Sequence, residues 1–143
     1  MKKSIFLFLS VIILASCNTD DDAGDVITHE FEEINTILPQ GKWYVSQLFM
    51  NNEDHTPEFT SFEFTFKADG SVEGKTDLYT EMGTWSYIST PTKGEQLELQ
   101  FSGTPPFDKI SSVWDIVSLN LSKVELSDSN SHPTTSLLTF KKL

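Results

Sequence analysis

Residues Ser61 to Lys67 read SFEFTFK. Phe62, Phe64 and Phe66 recur at every second position, with Glu63, Thr65 and Lys67 between them. Only an extended chain puts such a set on one side, because strand side chains alternate between two faces whereas a helix scatters them around its axis. The segment must therefore be a strand with its aromatic face covered by other apolar surface. Ala68-Asp69-Gly70 follows as a turn, and residues 71–77 (SVEGKTD) read as the return strand.

The same texture runs from Gly41 to the end of the chain. Segments 42–50, 61–67, 71–77, 82–89, 95–102, 110–120, 122–128 and 134–142 are rich in β-branched and aromatic residues and are separated by turn-forming residues. Trp85 and Tyr87 share one face of the fourth; Leu97, Leu99 and Phe101 share one face of the fifth, with Glu98 and Gln100 outside, as Glu63 is on the second. The sixth has apolar residues in both registers, Val113 and Val117 or Trp114 and Ile116, so its inner face stays unassigned. Residues 103–107 (GTPPF) read as a loop, because paired prolines do not serve a central strand. Eight short consecutive strands predict an all-β, up-and-down antiparallel β-barrel, whose closure removes exposed edges; a β-sandwich is the alternative. Ahead of it, Phe31, Ile34 and Leu38 at i, i+3 and i+7, with Glu30, Glu32 and Glu33 in the first turn and Pro39 as the stop, predict a short helical cap over residues 30–38.

The N-terminus carries a different signal. Lys2 and Lys3 precede an apolar run from Ile5 to Leu14 that is too short to cross a bilayer and has the form of a secretory signal peptide. The run ends in Leu14-Ala15-Ser16-Cys17, which resembles the lipobox of bacterial lipoproteins. Small residues before the cysteine admit a peptidase, the thiol accepts a diacylglyceryl group, and several acyl chains on one residue anchor stably. Residues 1–16 are thus expected to be a signal peptide, Cys17 the lipidation site, residues 17–29 an acidic tether, and residues 30–143 the barrel domain with its cap. The tether's Asn18 to Asp25 (NTDDDAGD) resembles an export signal for the outer face of the outer membrane in some bacterial groups. It lacks the spacing and turn glycine of a calcium loop. The expected location is the outer membrane of a Gram-negative bacterium, lipid-anchored and surface-exposed.

After Cys17, eight lysines face 21 acids, a net charge of −13, and the chain has no arginine. That balance excludes a nucleic-acid partner and predicts that anionic headgroups repel the domain, leaving attachment to the lipid alone. Cys17 is the only cysteine, so neither a thiol nucleophile nor a disulfide is available to the domain. His29, His55 and His132 fall in the tether and two apparent loops, and Glu53-Asp54-His55 is the one place in the barrel region where a histidine adjoins acids. No zinc, phosphate-loop or serine-triad motif is present, so neither an enzyme nor a cofactor or metal is expected.

Gly41-Lys42-Trp43 resembles the Gly-x-Trp signature that opens the first strand of the lipocalins. Phe66 to Ser71 followed by Gly83-Thr84-Trp85 is further similar to the lipocalin-like domains of bacterial lipoproteins, over residues 36–143. The resemblance implies a barrel with Trp43 packed at its closed end under a helical turn. It departs from the family in lacking a helix after Gly41, a disulfide and the arginine near the closed end. It also implies a binding scaffold for one small apolar or amphipathic ligand, with Trp43, Phe62, Phe64, Phe66, Trp85, Leu97, Leu99 and Phe101 as ligand or core lining. The other reading is a surface accessory module with a filled core, acting through its acidic exterior or the Thr104–Phe107 loop. Cys17→Ala is expected to leave unprocessed precursor and abolish labelling by a fatty-acid analogue; undiminished labelling would remove the anchor assignment.

Overall fold

The computed structural model describes residues 34–128 and 135–143. The expected signal peptide, Cys17, the acidic tether, His29, His132 and the first residues of the expected cap lie outside the described residues. Of the cap, one turn is described: α1, Ile34–Ile37, with Ile34, Ile37 and Leu38 buried. Pro39 follows directly and ends it.

Nine strands follow among the described residues: β1 (Trp43–Met50), β2 (Glu53–Asp54), β3 (Glu63–Phe66), β4 (Ser71–Lys75), β5 (Thr80–Thr90), β6 (Gly94–Phe101), β7 (Val113–Asn120), β8 (Lys123–Asp128) and β9 (Ser136–Lys142). Each long strand pairs antiparallel with its sequence neighbour, and β1 also pairs with β9 from Trp43↔Lys142 to Phe49↔Leu137. Eight strands thereby close into a barrel, and the alternating inward residues of all of them share one interior.

The ninth strand, β2, was not expected. Asn51 and Asn52 both hold positive φ, 53° and 65°, which turns the chain back so that Glu53 and Asp54 pair with Met50 and Phe49. Two consecutive left-handed residues are the geometry of a tight hairpin, and asparagine tolerates it. The Glu53-Asp54-His55 stretch is therefore a hairpin arm rather than a loop.

A short 3-10 turn, η1 (Thr56–Phe59), follows it. It fills a gap in the wall, since β1 and β3 pair only at Trp43↔Phe64. His55 N donates to Leu48 O (2.8 Å) and Leu48 N to Thr56 Oγ1 (2.9 Å), so backbone groups of β1 that lack a strand beside them are still satisfied.

Two bulges explain what alternation alone did not. In β7 the register shifts between Ile116 and Ser118. Trp114 and Ile116 face inward, Val117 is 60% exposed at the bulge, and Leu119, of the opposite parity, packs against the core beyond it. One extra residue flips every later side chain, which is why the sixth segment showed apolar residues in both registers. A second bulge at Ser46 in β1 carries the inner face from Trp43 and Val45 to Leu48.

The barrel has two distinct ends. Because the strands alternate in direction, the start of β1, the β3–β4, β5–β6 and β7–β8 turns and the C-terminus share one end, which α1 enters. The opposite end carries the Asn51–Asn52 turn, η1, the β4–β5 turn and the β6–β7 connection with a second 3-10 turn, η2 (Phe107–Lys109). Ile116→Ala is expected to destabilise by about 2–5 kcal/mol, and Val117→Ala by about 0.5 kcal/mol or less. Equal losses in urea unfolding would mean that the bulge is misplaced.

Candidate functional site

The barrel interior is where the sequence placed a ligand, and aromatic rings occupy it. Phe64, on β3, lies 5.3 Å from the Phe140 ring, 6.1 Å from Phe107 and 6.2 Å from Phe59, centroid to centroid. Phe66 stands edge-on to Trp85 at 5.9 Å and to Phe140 at 5.5 Å. These separations are those of rings in direct contact. Trp43, Phe64, Phe66, Leu97 and Leu99 are at most 1% exposed, Trp85 is 6% and Phe101 9% exposed, and Phe62 is half-buried at the rim. The expected lining residues thus converge on one interior, where they touch one another.

The η-bearing end is closed by two loop phenylalanines that sequence reasoning missed. Phe59 comes from η1 and Phe107 from η2, and both are fully buried, with rings 6.0 Å apart at 84°. Phe107 also packs at 4.8 Å on Phe101 and 4.9 Å on Phe62. Of the Thr104–Phe107 loop, named as one surface for an accessory module, the phenylalanine is not on that surface: its ring points into the barrel, and a short 3-10 turn, η2, stands between β6 and β7. A signal was present in the chain. Thr56-Pro57-Glu58-Phe59 and Thr104-Pro105-Pro106-Phe107 share the pattern Thr-Pro-x-Phe, one in each loop of this mouth.

Gly74 on β4 makes room for the plug. A Cβ there would stand 2.5 Å from Phe107 Cε1 and 3.2 Å from Phe64 Cε1, closer than packed atoms allow. Polar contacts hold the two loops together as well. Glu58 accepts from Lys109 Nζ (2.8 Å), across from η2, and contacts His55 Nδ1 (2.7 Å), and these hydrogen bonds lower its carboxyl pKa.

The three tryptophans pin the chain segments that lie over the barrel ends. Trp43 Nε1 donates to Leu38 O (2.9 Å) beneath α1, Trp85 Nε1 to Lys67 O (2.9 Å) in the β3–β4 turn, and Trp114 Nε1 to Ile110 O (3.0 Å) after η2. Each buried indole N–H is satisfied, and each bond ties a connection to the wall.

Two carboxylates share the inward register, Glu81 in step with Trp85 on β5 and Glu95 in step with Leu97 on β6, the latter with a buried Oε2 that has no hydrogen-bond partner among the described residues. Glu81, 8% exposed on β5, accepts hydrogen bonds from Ser102 Oγ and Tyr79 Oη. The Ser102 and Tyr79 hydroxyls lower its pKa, and Glu81 in turn raises that of Tyr79. Among the described residues no group of three or more His, Cys, Asp or Glu is placed to hold a metal ion.

Two open clefts mark the surface. An open cleft of about 510 Å³ separates the start of β3 from the β4–β5 turn, with Phe62 as its floor and Leu78 and Asp77 on its rim. Another, of about 450 Å³, crosses the Ser46 bulge between Phe49, Lys123 and Thr139. Gln96, of outward parity on β6, is only 4% exposed and turns onto Asp115, donating to Oδ1 at 2.7 Å.

Comparison with known proteins agrees with this geometry at two levels. Residues 1–18 match the family model of the prokaryotic membrane lipoprotein lipid attachment site. No curated protein matches the chain by sequence. Among solved structures, a DUF4847 family protein from Bacteroides vulgatus ATCC 8482 superposes with a TM-score of 0.53 at 16% identity, covering 77% of this chain and 97% of that one. Likeness at that identity is a likeness of fold. The protein is a membrane-anchored lipoprotein with a β-barrel domain. Gly74→Ala is expected to destabilise by about 1–3 kcal/mol through overpacking, and that cost should largely vanish in a Phe107→Ala background. Additive losses would separate Gly74 from the plug.

Proposed function

We propose that the domain is a non-enzymatic accessory module with a filled core, held at the membrane by lipid on Cys17 and acting through its outer surface. The observation that carries this reading is the plug: Phe59 and Phe107 enter the mouth and stack on the same Phe62, Phe64 and Phe101 that a ligand would have to contact. A binding barrel of this strand number keeps room for one small molecule, whereas here the rings spend that room on each other. The acidic residues that follow Cys17, Asp20 to Asp22, support placement on the outer membrane with exposure at the cell surface. The paired clefts and the exposed Leu78 give the outside more relief than the inside for recognition.

Fatty-acid, retinoid, sterol and aromatic probes are expected to bind no tighter than about 100 μM, or about 5.5 kcal/mol, measured by quenching of tryptophan emission. They should leave the melting temperature unmoved. A saturable single site of low-micromolar affinity, lost in Trp85→Phe, would replace this reading with the ligand-binding one.

A further inference from the structure

The eight lysines after Cys17 are unevenly placed on the barrel. Six of them sit at the end through which α1 enters. Lys42 precedes β1, Lys67 and Lys93 lie in turns, Lys123 opens β8, and Lys141 and Lys142 finish β9. The connections at this end carry one acid, Asp69, and Glu63, Glu95 and Glu125 stand on the strands beside them. At the opposite end Lys75 and Lys109 face Glu53, Asp54, Glu58, Asp77 and Asp108. Among the described residues, lysines thus outnumber acids at one end of a chain of strongly negative net charge.

Those cations have acidic or aromatic neighbours but few close ion pairs: Lys67 acts on Asp69, Lys141 on Glu125, and Lys142 lies 5.9 Å from the Trp43 ring centroid. Lys67, Lys93 and Lys141 are exposed and make no ion pair among the described residues. Lys42 and Lys123 pair with Glu63 (2.8 Å) and Glu125 (3.0 Å) in solvent-exposed contacts, which hold little free energy. Leu121, at the tip of the β7–β8 turn, and Leu143 are 69% and 66% exposed at the same end. The anchor can reach this end. Sixteen residues separate Cys17 from Ile34, and at about 3.5 Å per residue they reach at most about 55 Å.

We infer that the α1-entry end of the barrel docks on the anionic lipid surface that holds its anchor, with phosphate-bearing headgroups facing Lys67, Lys93 and Lys141 and with Leu121 and Leu143 among them. The lipid on Cys17 supplies attachment and the lysines supply orientation, turning the acidic η1–η2 end away from the membrane. This differs from the expectation that anionic headgroups repel the whole domain: net charge sets the far field, but at a Debye length of about 8–10 Å a surface responds to the charges nearest it. Each lysine near an anionic surface favours binding by about fivefold. Docking of this end requires neither a ligand in the barrel nor its absence.

The competing partner for these lysines is the tether's own acids, Asp20 to Asp22, and the test separates the two. Lipidated full-length protein is reconstituted in vesicles carrying a headgroup quencher. Because the Cys17 thiol carries the lipid, a fluorophore can be placed singly in Leu121→Cys or in Leu78→Cys, at opposite ends of the barrel. In vesicles with about 30 mol % phosphatidylglycerol at low salt, the position-121 label is expected to be quenched several-fold more than the position-78 label. That difference should disappear in pure phosphatidylcholine, in about 0.5 M salt, and in a Lys67→Glu/Lys93→Glu/Lys141→Glu variant. These substitutions are on the surface, so a circular dichroism spectrum matching that of the parent should accompany the loss. Equal quenching at both positions, or a difference that survives neutral lipid, would overturn the inference. Quenching at position 121 that emerges only after Asp20, Asp21 and Asp22 are changed to asparagine would assign the lysines to the tether and overturn it too.

Discussion

The pairing of β1 with β9 is the contact on which the rest of the structure depends. Six residue pairs, from Trp43↔Lys142 to Phe49↔Leu137, join the first long strand to the last and turn a sheet into a ring. Closure removes the unpaired edges that an eight-stranded meander would expose. It also makes inward side chains from distant strands neighbours: Phe64 of β3 meets Phe140 of β9. The bulges at Ser46 and Val117 add local twist to two of the strands in the ring.

A ring of eight strands encloses little volume, and this one gives that volume to aromatic contacts. The strand residues supply Phe64, Phe66, Phe101, Phe140 and the three indoles; the loops supply Phe59 and Phe107. The absence of a side chain at Gly74 is as specific as any ring here, since it admits the Phe107 edge. Three indole N–H bonds to the carbonyls of Leu38, Lys67 and Ile110 fix the overlying segments to the wall. Opening the mouth would therefore disrupt ring stacking together with the Lys109–Glu58 bridge between the two loops. Under the proposed reading, evolution of function in this scaffold falls to the outer surface and to the polarity of its two ends.

That polarity shows what a composition can conceal. The sequence of the domain is acidic, yet strand alternation sorts its lysines to one end and many loop acids to the other. Neither cluster is contiguous in the chain: Lys42, Lys67, Lys93 and Lys123 are separated by about two strands each, the repeat at which an up-and-down topology returns to the same end.

Much of the architecture was legible from alternation. Phe62, Phe64 and Phe66, like Leu97, Leu99 and Phe101, announce one-faced strands, and eight such segments with tight turns leave few topologies. The lipid anchor was legible too, because Leu14 to Cys17 is a contiguous chemical signature. Other features were illegible for specific reasons. The inner face of β7 was hidden because a bulge at Val117 changes the parity midway. The hairpin arm β2 depended on left-handed backbone at Asn51 and Asn52. Phe59 and Phe107 looked like loop residues because periodicity carries no information about where a loop folds back, although their shared Thr-Pro-x-Phe context was visible. The sequence by itself determined the strands, their polar and apolar faces and the route to the membrane, since these rest on local pattern and covalent chemistry. Only the tertiary structure decided that two loop phenylalanines enter the interior, that Gly74 faces a ring and that the lysines share an end, because each depends on which distant residues the fold brings within contact distance.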